Sequence, residues 1–317
     1  VDNPLPFLLK SLFKEKIMEI QTMSIVVGGA HCNAKCPYCI SKMTGLNEVK
    51  EQYLPTCKRN LYLALSHARI GNVTTLLFTG KGEPTLYPDA ITKWLIDIVN
   101  WENQNSHFFP YIELQTNGIA IANGDIDEVT LKEWYSYGLT TISISVAHYD
   151  YEFNKSIFTP EKKYINLAYL ISKLKALGFN VRVNCTLLKD GIDSLTKIQN
   201  YISFCNQWAV DQITFRPMRV PSVSRVSNIY SWAKNNLPDE KFLKELHNYF
   251  DDFEQILTLA HGAKVYDVDG VAVCLSDCLT KAPEDSKSLR QLILYGDGRL
   301  TYDWQYKAAQ LLPPEQE

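Results

Sequence analysis

Three cysteines stand together near the start of the chain, in His31-Cys32-Asn33-Ala34-Lys35-Cys36-Pro37-Tyr38-Cys39. They follow an apolar run, Ser24-Ile25-Val26-Val27-Gly28, that reads as a strand. Thiolates gathered in one loop are soft donors, and the chemistry they suit is metal binding. A structural zinc takes four protein ligands, and a local C-x2-C pair ordinarily has a second pair further along. Here the local set stops at three. A disulfide with a spare thiol, or a lone zinc knuckle, is the plainer reading of the same residues.

An iron–sulfur cube held by three thiolates keeps one iron free for a ligand from outside the protein. The C-x3-C-x2-C spacing, with Tyr38 just before the last cysteine, resembles the signature of the radical S-adenosylmethionine (SAM) superfamily. The resemblance implies one [4Fe–4S] cluster on Cys32, Cys36 and Cys39. It implies SAM chelating the free iron, with Tyr38 among the cofactor-binding residues. One electron passing from the cluster to the sulfonium would then split a carbon–sulfur bond and give a 5′-deoxyadenosyl radical. Such chemistry calls for an electron donor such as flavodoxin or ferredoxin.

Further motifs follow other strand-like runs. Leu76-Leu77-Phe78-Thr79-Gly80 leads into Lys81-Gly82-Glu83-Pro84, which resembles the superfamily's Gly-Gly-Glu-Pro loop. There Gly82 lets the backbone approach and Glu83 accepts from the SAM amino group. Lys81 replaces the first glycine, and is either a solvent-facing charge or the partner of a carboxylate. Gln115-Thr116-Asn117-Gly118 alone reads as a turn. By resemblance, Thr116 and Asn117 reach SAM. In Thr141-Ile142-Ser143-Ile144-Ser145-Val146 the two serines share a face, and an unpaired polar group against packed helices is costly, so they belong in a lumen. The resemblance implies that Ser145 lines the SAM pocket, Asn184 bonds the ribose, Arg216 takes the carboxylate or ribose, and Met218 lies near the adenine. His148 and Arg219 are candidate substrate contacts.

The elements that must position these residues alternate. Strands are expected over Ser24–Gly28, Thr75–Gly80, Tyr111–Thr116, Thr141–Val146, Val181–Leu187 and Gln212–Arg216. Helices are expected over Arg59–Ile70, Pro88–Asn103, Thr130–Tyr137, Pro160–Leu177 and Ser194–Gln207. Thr130 with Glu133 forms a capping-box pattern, and Thr159 precedes Pro160 at a first helical position. Crossover helices between strands predict parallel pairing. A doubly wound sheet and an open barrel both fit; the resemblance, which spans about residues 24–218, implies the barrel. The expected fold is α/β: a partial (β/α)6 TIM-type barrel with a C-terminal α+β extension.

Three regions are expected: an N-terminal helical extension over 1–22, a core over 23–218 and a substrate-covering region over 219–317. The first holds an amphipathic helix pattern from Pro6 to Ile20, and the third a helix over Asp239–Leu259. Strand-like runs follow at Lys264–Leu275 and Arg290–Tyr302, the latter broken by a Gly296-Asp297-Gly298 turn. Cys274 and Cys278 are too few for a second cluster of the usual kind.

A formal charge of -3 offers no overall attraction to nucleic acid. No apolar run is long enough for a bilayer, and eight cysteines without a secretory pattern suggest a reducing, cytoplasmic setting. A polar lumen favours a small polar substrate, sugar-like or nucleoside-like. Peptide maturation, activation of a glycyl-radical partner, and a structural or sensing role for the cysteines are the alternatives.

Overall fold

The computed structural model describes residues 19–44, 55, 57–221, 227–259, 262–276, 288–304 and 306–315. All six expected strands form: β1 Glu19–Val26, β2 Thr75–Thr79, β3 Tyr111–Thr116, β4 Leu139–Ser145, β5 Asn180–Leu187 and β6 Gln212–Pro217. The C-terminal part adds β7 Glu254–Thr258, β8 Lys264–Val268, β9 Val271–Leu275, β10 Ser288–Leu294, β11 Leu300–Thr301 and β12 Gln310–Leu312. All join one sheet in the order β12-β11-β10-β1-β2-β3-β4-β5-β6-β9-β8-β7. The run from β10 through β1–β6 to β9 is parallel throughout. β9 and β10 thus flank the six-stranded barrel, one on each side, and antiparallel strands finish both edges. The fold is an open α/β partial barrel.

Period-two alternation decides which side chain faces where. In β5, Val181, Val183, Cys185 and Leu187 are buried in the core while Arg182, Asn184 and Thr186 keep partial access. The buried set packs on the outer helices. The helix Pro88–Asn105 starts with proline at its first position, where the missing N–H costs nothing. It sinks Ile91, Trp94, Leu95, Ile98 and Trp101 into the core, each contributing on the order of 2 kcal/mol. The inner face is left with Ser143, Ser145, Asn184, Thr214 and Arg216 toward the C-terminal ends of their strands.

Several boundaries differ from expectation. Glu19 and Ile20 begin β1 rather than ending a helix, and the rest of that expected helix lies outside the described residues. Asp127, not Thr130, caps its helix, because its carboxylate accepts from the Thr130 N–H at 2.8 Å one turn earlier. Thr159 closes an unexpected helix, Tyr151–Phe158, in a left-handed conformation (φ 40°). The next helix therefore starts only at Leu167, capped by Asn166. The helix begun at Asp239 stops at Asp251, since 254–258 pairs with β8 as a strand. A further helix, Ser227–Asn235, forms between β6 and the helix Glu240–Asp251, where no element was expected.

Candidate functional site

The cysteine loop leaves β1 through Gly28, at φ +65°, where an added Cβ would meet the Tyr87 ring at 2.1 Å. Backbone bonds clamp it on two sides. Gly82 N donates to Gly29 O (3.1 Å) and Glu83 N to His31 O (2.9 Å). From the other side, Lys35 N donates to Phe158 O (2.8 Å), Glu161 N to Asn33 O (3.0 Å), and Thr159 Oγ1 to Lys35 O (3.0 Å). Cys32, Cys36 and Cys39 are free and half-buried. Burial, together with the neighbouring thiols, pushes Cys32 up to about 11 and Cys36 up to about 12. At neutral pH both are therefore thiols. Among the described residues, no three His, Cys, Asp or Glu side chains converge as they would around a single ion.

Behind the loop lies a buried polar network centred on Glu83, which is 4% exposed. Its Oε1 accepts from Thr85 N (3.1 Å), Thr85 Oγ1 (2.6 Å) and Thr116 Oγ1 (2.6 Å), and its Oε2 from Asn117 N (2.9 Å). Burial pushes the carboxyl up, and these donors oppose the shift. Asn117 is equally engaged: its Oδ1 accepts from Ile119 N (2.9 Å), and its Nδ2 donates to Asn33 Oδ1 (2.7 Å) and faces Cys32 Sγ at 3.8 Å. Thr116 Oγ1 also accepts from Gly118 N (2.9 Å). These residues, expected on SAM, foremost join the ends of β2 and β3 to the cysteine loop. One acceptor position on Glu83 Oε2 remains.

The inner face of the barrel brings the other expected residues together. Ser145 stands beside Asn184 in register, and Thr186 beside Arg216. Asn184 Nδ2 donates to Ser143 Oγ, while its Oδ1 is buried with no partner among the described residues. Arg216 Nε is in the same state. Two such orphans on one wall fit a polar ligand arriving from the mouth. Deeper in, Arg182 bonds Gln212 and pairs with Glu113 at 2.5 Å, a closed-end ion pair rather than a ligand contact. Met218, expected near the adenine, is 3% exposed and packed in the core, its N–H on Leu187 O (2.9 Å). Cys274 is buried on β9, and Cys278 lies outside the described residues.

Tyr38 lies 6.2 Å, centroid to centroid, from Trp232. His148 is not open to the mouth: it is 8% exposed, packed on Tyr149 and Phe153, and its Nδ1 accepts from Asp150 N (2.9 Å). Burial pulls its pKa down, and the neutral ring completes the turn after β4. Arg219 pairs with Glu240 at 3.2 Å. Lys81 is neither free nor simply carboxylate-paired; its ammonium lies 5.2 Å from the Trp304 ring centroid. Trp232, Trp304 and the 158–164 segment are site residues that sequence reasoning missed. Of these, the segment carried a signal in Thr159-Pro160, which was read as a helix start.

Three thiols thus stand at the C-terminal mouth of an open parallel α/β barrel, above a polar inner wall. The model of the Radical SAM superfamily matches residues 26–199, more than half of the chain, and the chain belongs to this superfamily. No curated protein sequence matches it. Among solved structures, Streptococcus suis SuiB bound to S-adenosylmethionine superposes with a TM-score of 0.60 at 15% identity, over 96% of this chain and 66% of that one. SuiB bound to precursor peptide SuiA gives 0.61 at 14% identity, over 96% and 65%. Native anSMEcpe with bound AdoMet gives 0.56 at 14% identity, over 92% and 77%. The chain thus spans just under two thirds of the SuiB length, and identities this low speak for the fold alone.

Proposed function

We propose that this protein is a radical SAM enzyme that abstracts hydrogen from a small polar substrate, sugar-like or nucleoside-like, in the cytoplasm. Cys32, Cys36 and Cys39 would hold a [4Fe–4S] cluster through three of its irons. When bound, cluster and SAM supply the one-electron cleavage that yields a 5′-deoxyadenosyl radical. The protein's own residues bind and orient. Arg216 offers a fork of donors to a carboxylate, Asn184 Oδ1 an acceptor to a hydroxyl, and Ser145 a hydroxyl beside it. Gly82 keeps the motif loop against the cysteine loop, and Glu83 holds both to the end of β3. Tyr38 and Trp232 form an apolar flank that keeps water from one side of the mouth. Flavodoxin or ferredoxin would deliver the electron.

The observation that carries this reading is a pair of buried atoms, Asn184 Oδ1 and Arg216 Nε, without partners among the described residues, on the wall below three free thiols. Anaerobic reconstitution with iron and sulfide, then SAM and dithionite, tests it. Four irons per chain and formation of 5′-deoxyadenosine are expected; loaded protein that never forms it refutes the proposal. One observation favours a second reading, peptide modification: the fold shared with SuiB runs past residue 199 to cover 96% of this chain, and one of those structures holds a precursor peptide.

A further inference from the structure

Two tryptophans from the C-terminal part reach the cysteine loop, one at each of its ends. Trp232 belongs to the helix Ser227–Asn235, and its ring lies 6.2 Å from that of Tyr38, tilted by 34°. That helix is anchored: Ala233 is fully buried in the core, and Asn236, just past the helix end, accepts from Lys189 N (3.0 Å) and donates from Nδ2 to Trp232 O (2.8 Å). The helix also packs on Ile40–Met43, the short helix that follows Cys39. Trp304 comes from beyond β11. It packs on a small apolar cluster of Val26, Ile293 and Tyr295, separate from the main core, with its ring edge-on to Tyr295 at 6.3 Å and 72°. The Lys81 ammonium lies over the same ring, 5.2 Å from its centroid. Lys81 adjoins Gly82 and Glu83, whose N–H groups hold Gly29 O and His31 O, directly before Cys32.

We infer that Trp232 and Trp304 form a two-ended cover that keeps water and oxidants from the cysteine loop and from the group it binds. The protection of a cluster rests on the reading above; the cover over the thiols does not. An apolar shell around a metal centre controls solvent access to it, and an indole supplies a large apolar area with few torsions to fix. Each ring is held by contacts of its own, one on Tyr38 and one on Tyr295 and Lys81. Placed at the ends of the loop, the two rings leave the polar wall of β4, β5 and β6 free for a ligand. Both residues lie outside β1–β6, so changing either leaves the three cysteines and that wall in place.

The test begins on the full chain without metal, treated with iodoacetamide, with labelling of each cysteine followed by mass spectrometry. Trp232→Ala is expected to speed labelling of Cys36 and Cys39, and Trp304→Ala that of Cys32, by about threefold or more. Trp232→Phe and Trp304→Phe keep a ring at each position and should label at the wild-type rate. Cys185 and Cys205, buried in the core, report on the fold as a whole and should be unaffected. After anaerobic reconstitution to equal iron content, both alanine variants should also lose cluster absorbance in air faster than wild type, and the phenylalanine variants should not. Alanine variants that label or bleach at the wild-type rate overturn the inference while the function stands. Faster labelling that extends to Cys185 and Cys205 overturns it too, because the tryptophans would then act through the fold. Wild-type protein that takes up no cluster overturns the function and leaves the alkylation rates to decide the cover.

Discussion

Replacing Gly82 by alanine tests whether the motif loop and the cysteine loop are one unit. An added Cβ would lie 1.9 Å from the His31 carbonyl oxygen, 2.7 Å from its carbon and 2.8 Å from the Ala30 carbonyl carbon. All three are backbone atoms, so no rotamer change relieves the clash and the loops must part. Parting them breaks two bonds, Gly82 N to Gly29 O and Glu83 N to His31 O. At about 1 kcal/mol each, with about 1–3 kcal/mol for overpacking, the cost is about 3–5 kcal/mol. For a chain of this size that lowers Tm by about 5–15 °C. Differential scanning calorimetry and iron content after reconstitution read the two consequences, and both should fall. Gly124→Ala is the comparison: it forces a side chain onto a positive φ, +79°, which Gly82 does not have, but it meets nothing within 4 Å and should cost only about 1 kcal/mol. A Gly82→Ala protein that melts within about 2 °C of wild type and takes up full iron refutes the reasoning.

Three further outcomes are expected. Arg182→Met strands the Glu113 carboxylate, 3% exposed, at the closed end of the barrel and should cost about 3 kcal/mol in urea unfolding. Adding Glu113→Leu should recover most of it. Arg216→Met should weaken SAM binding about 10–100-fold by equilibrium dialysis, the worth of a hydrogen bond to a charged group. Cluster content should be unchanged, and Arg216→Lys should restore only part of the affinity. Cys36→Ala should abolish iron retention, whereas Cys185→Ala and Cys205→Ala, buried against the helices, should lower stability and leave iron uptake intact.

What was legible in the sequence was local. The β5 run, Val181 to Leu187, alternates apolar with polar residues, and the structure buries the apolar set while Arg182, Asn184 and Thr186 keep partial access. The cysteine spacing and the loops after β2 and β3 were legible because each motif lies within a few consecutive residues. β9 and β10 were not recognised as flanks of the barrel, because nothing in Val271–Leu275 or Ser288–Leu294 specifies a partner in β6 or β1. Parallel pairing across such separations leaves no turn signal behind. The strap at 158–161 was lost for another reason. Thr159-Pro160 matches a helix start, but Thr159 adopts a left-handed conformation to end the preceding helix, and local pattern does not separate the two.

Glu83 shows where a motif's residues are legible and their duties are not. The sequence pattern directs its carboxylate to a ligand. In the fold, four donors from Thr85, Thr116 and Asn117 already converge on it, and two of them come from the end of β3 rather than from its own loop. The carboxylate therefore holds Asn117 in place before any cofactor arrives, and Asn117 in turn faces Cys32. A buried acid with a single acceptor position left can orient a bound amine only if those four bonds persist. Its removal should thus disturb the cysteine loop as well as ligand affinity, and the two effects belong to one network rather than to two separate roles.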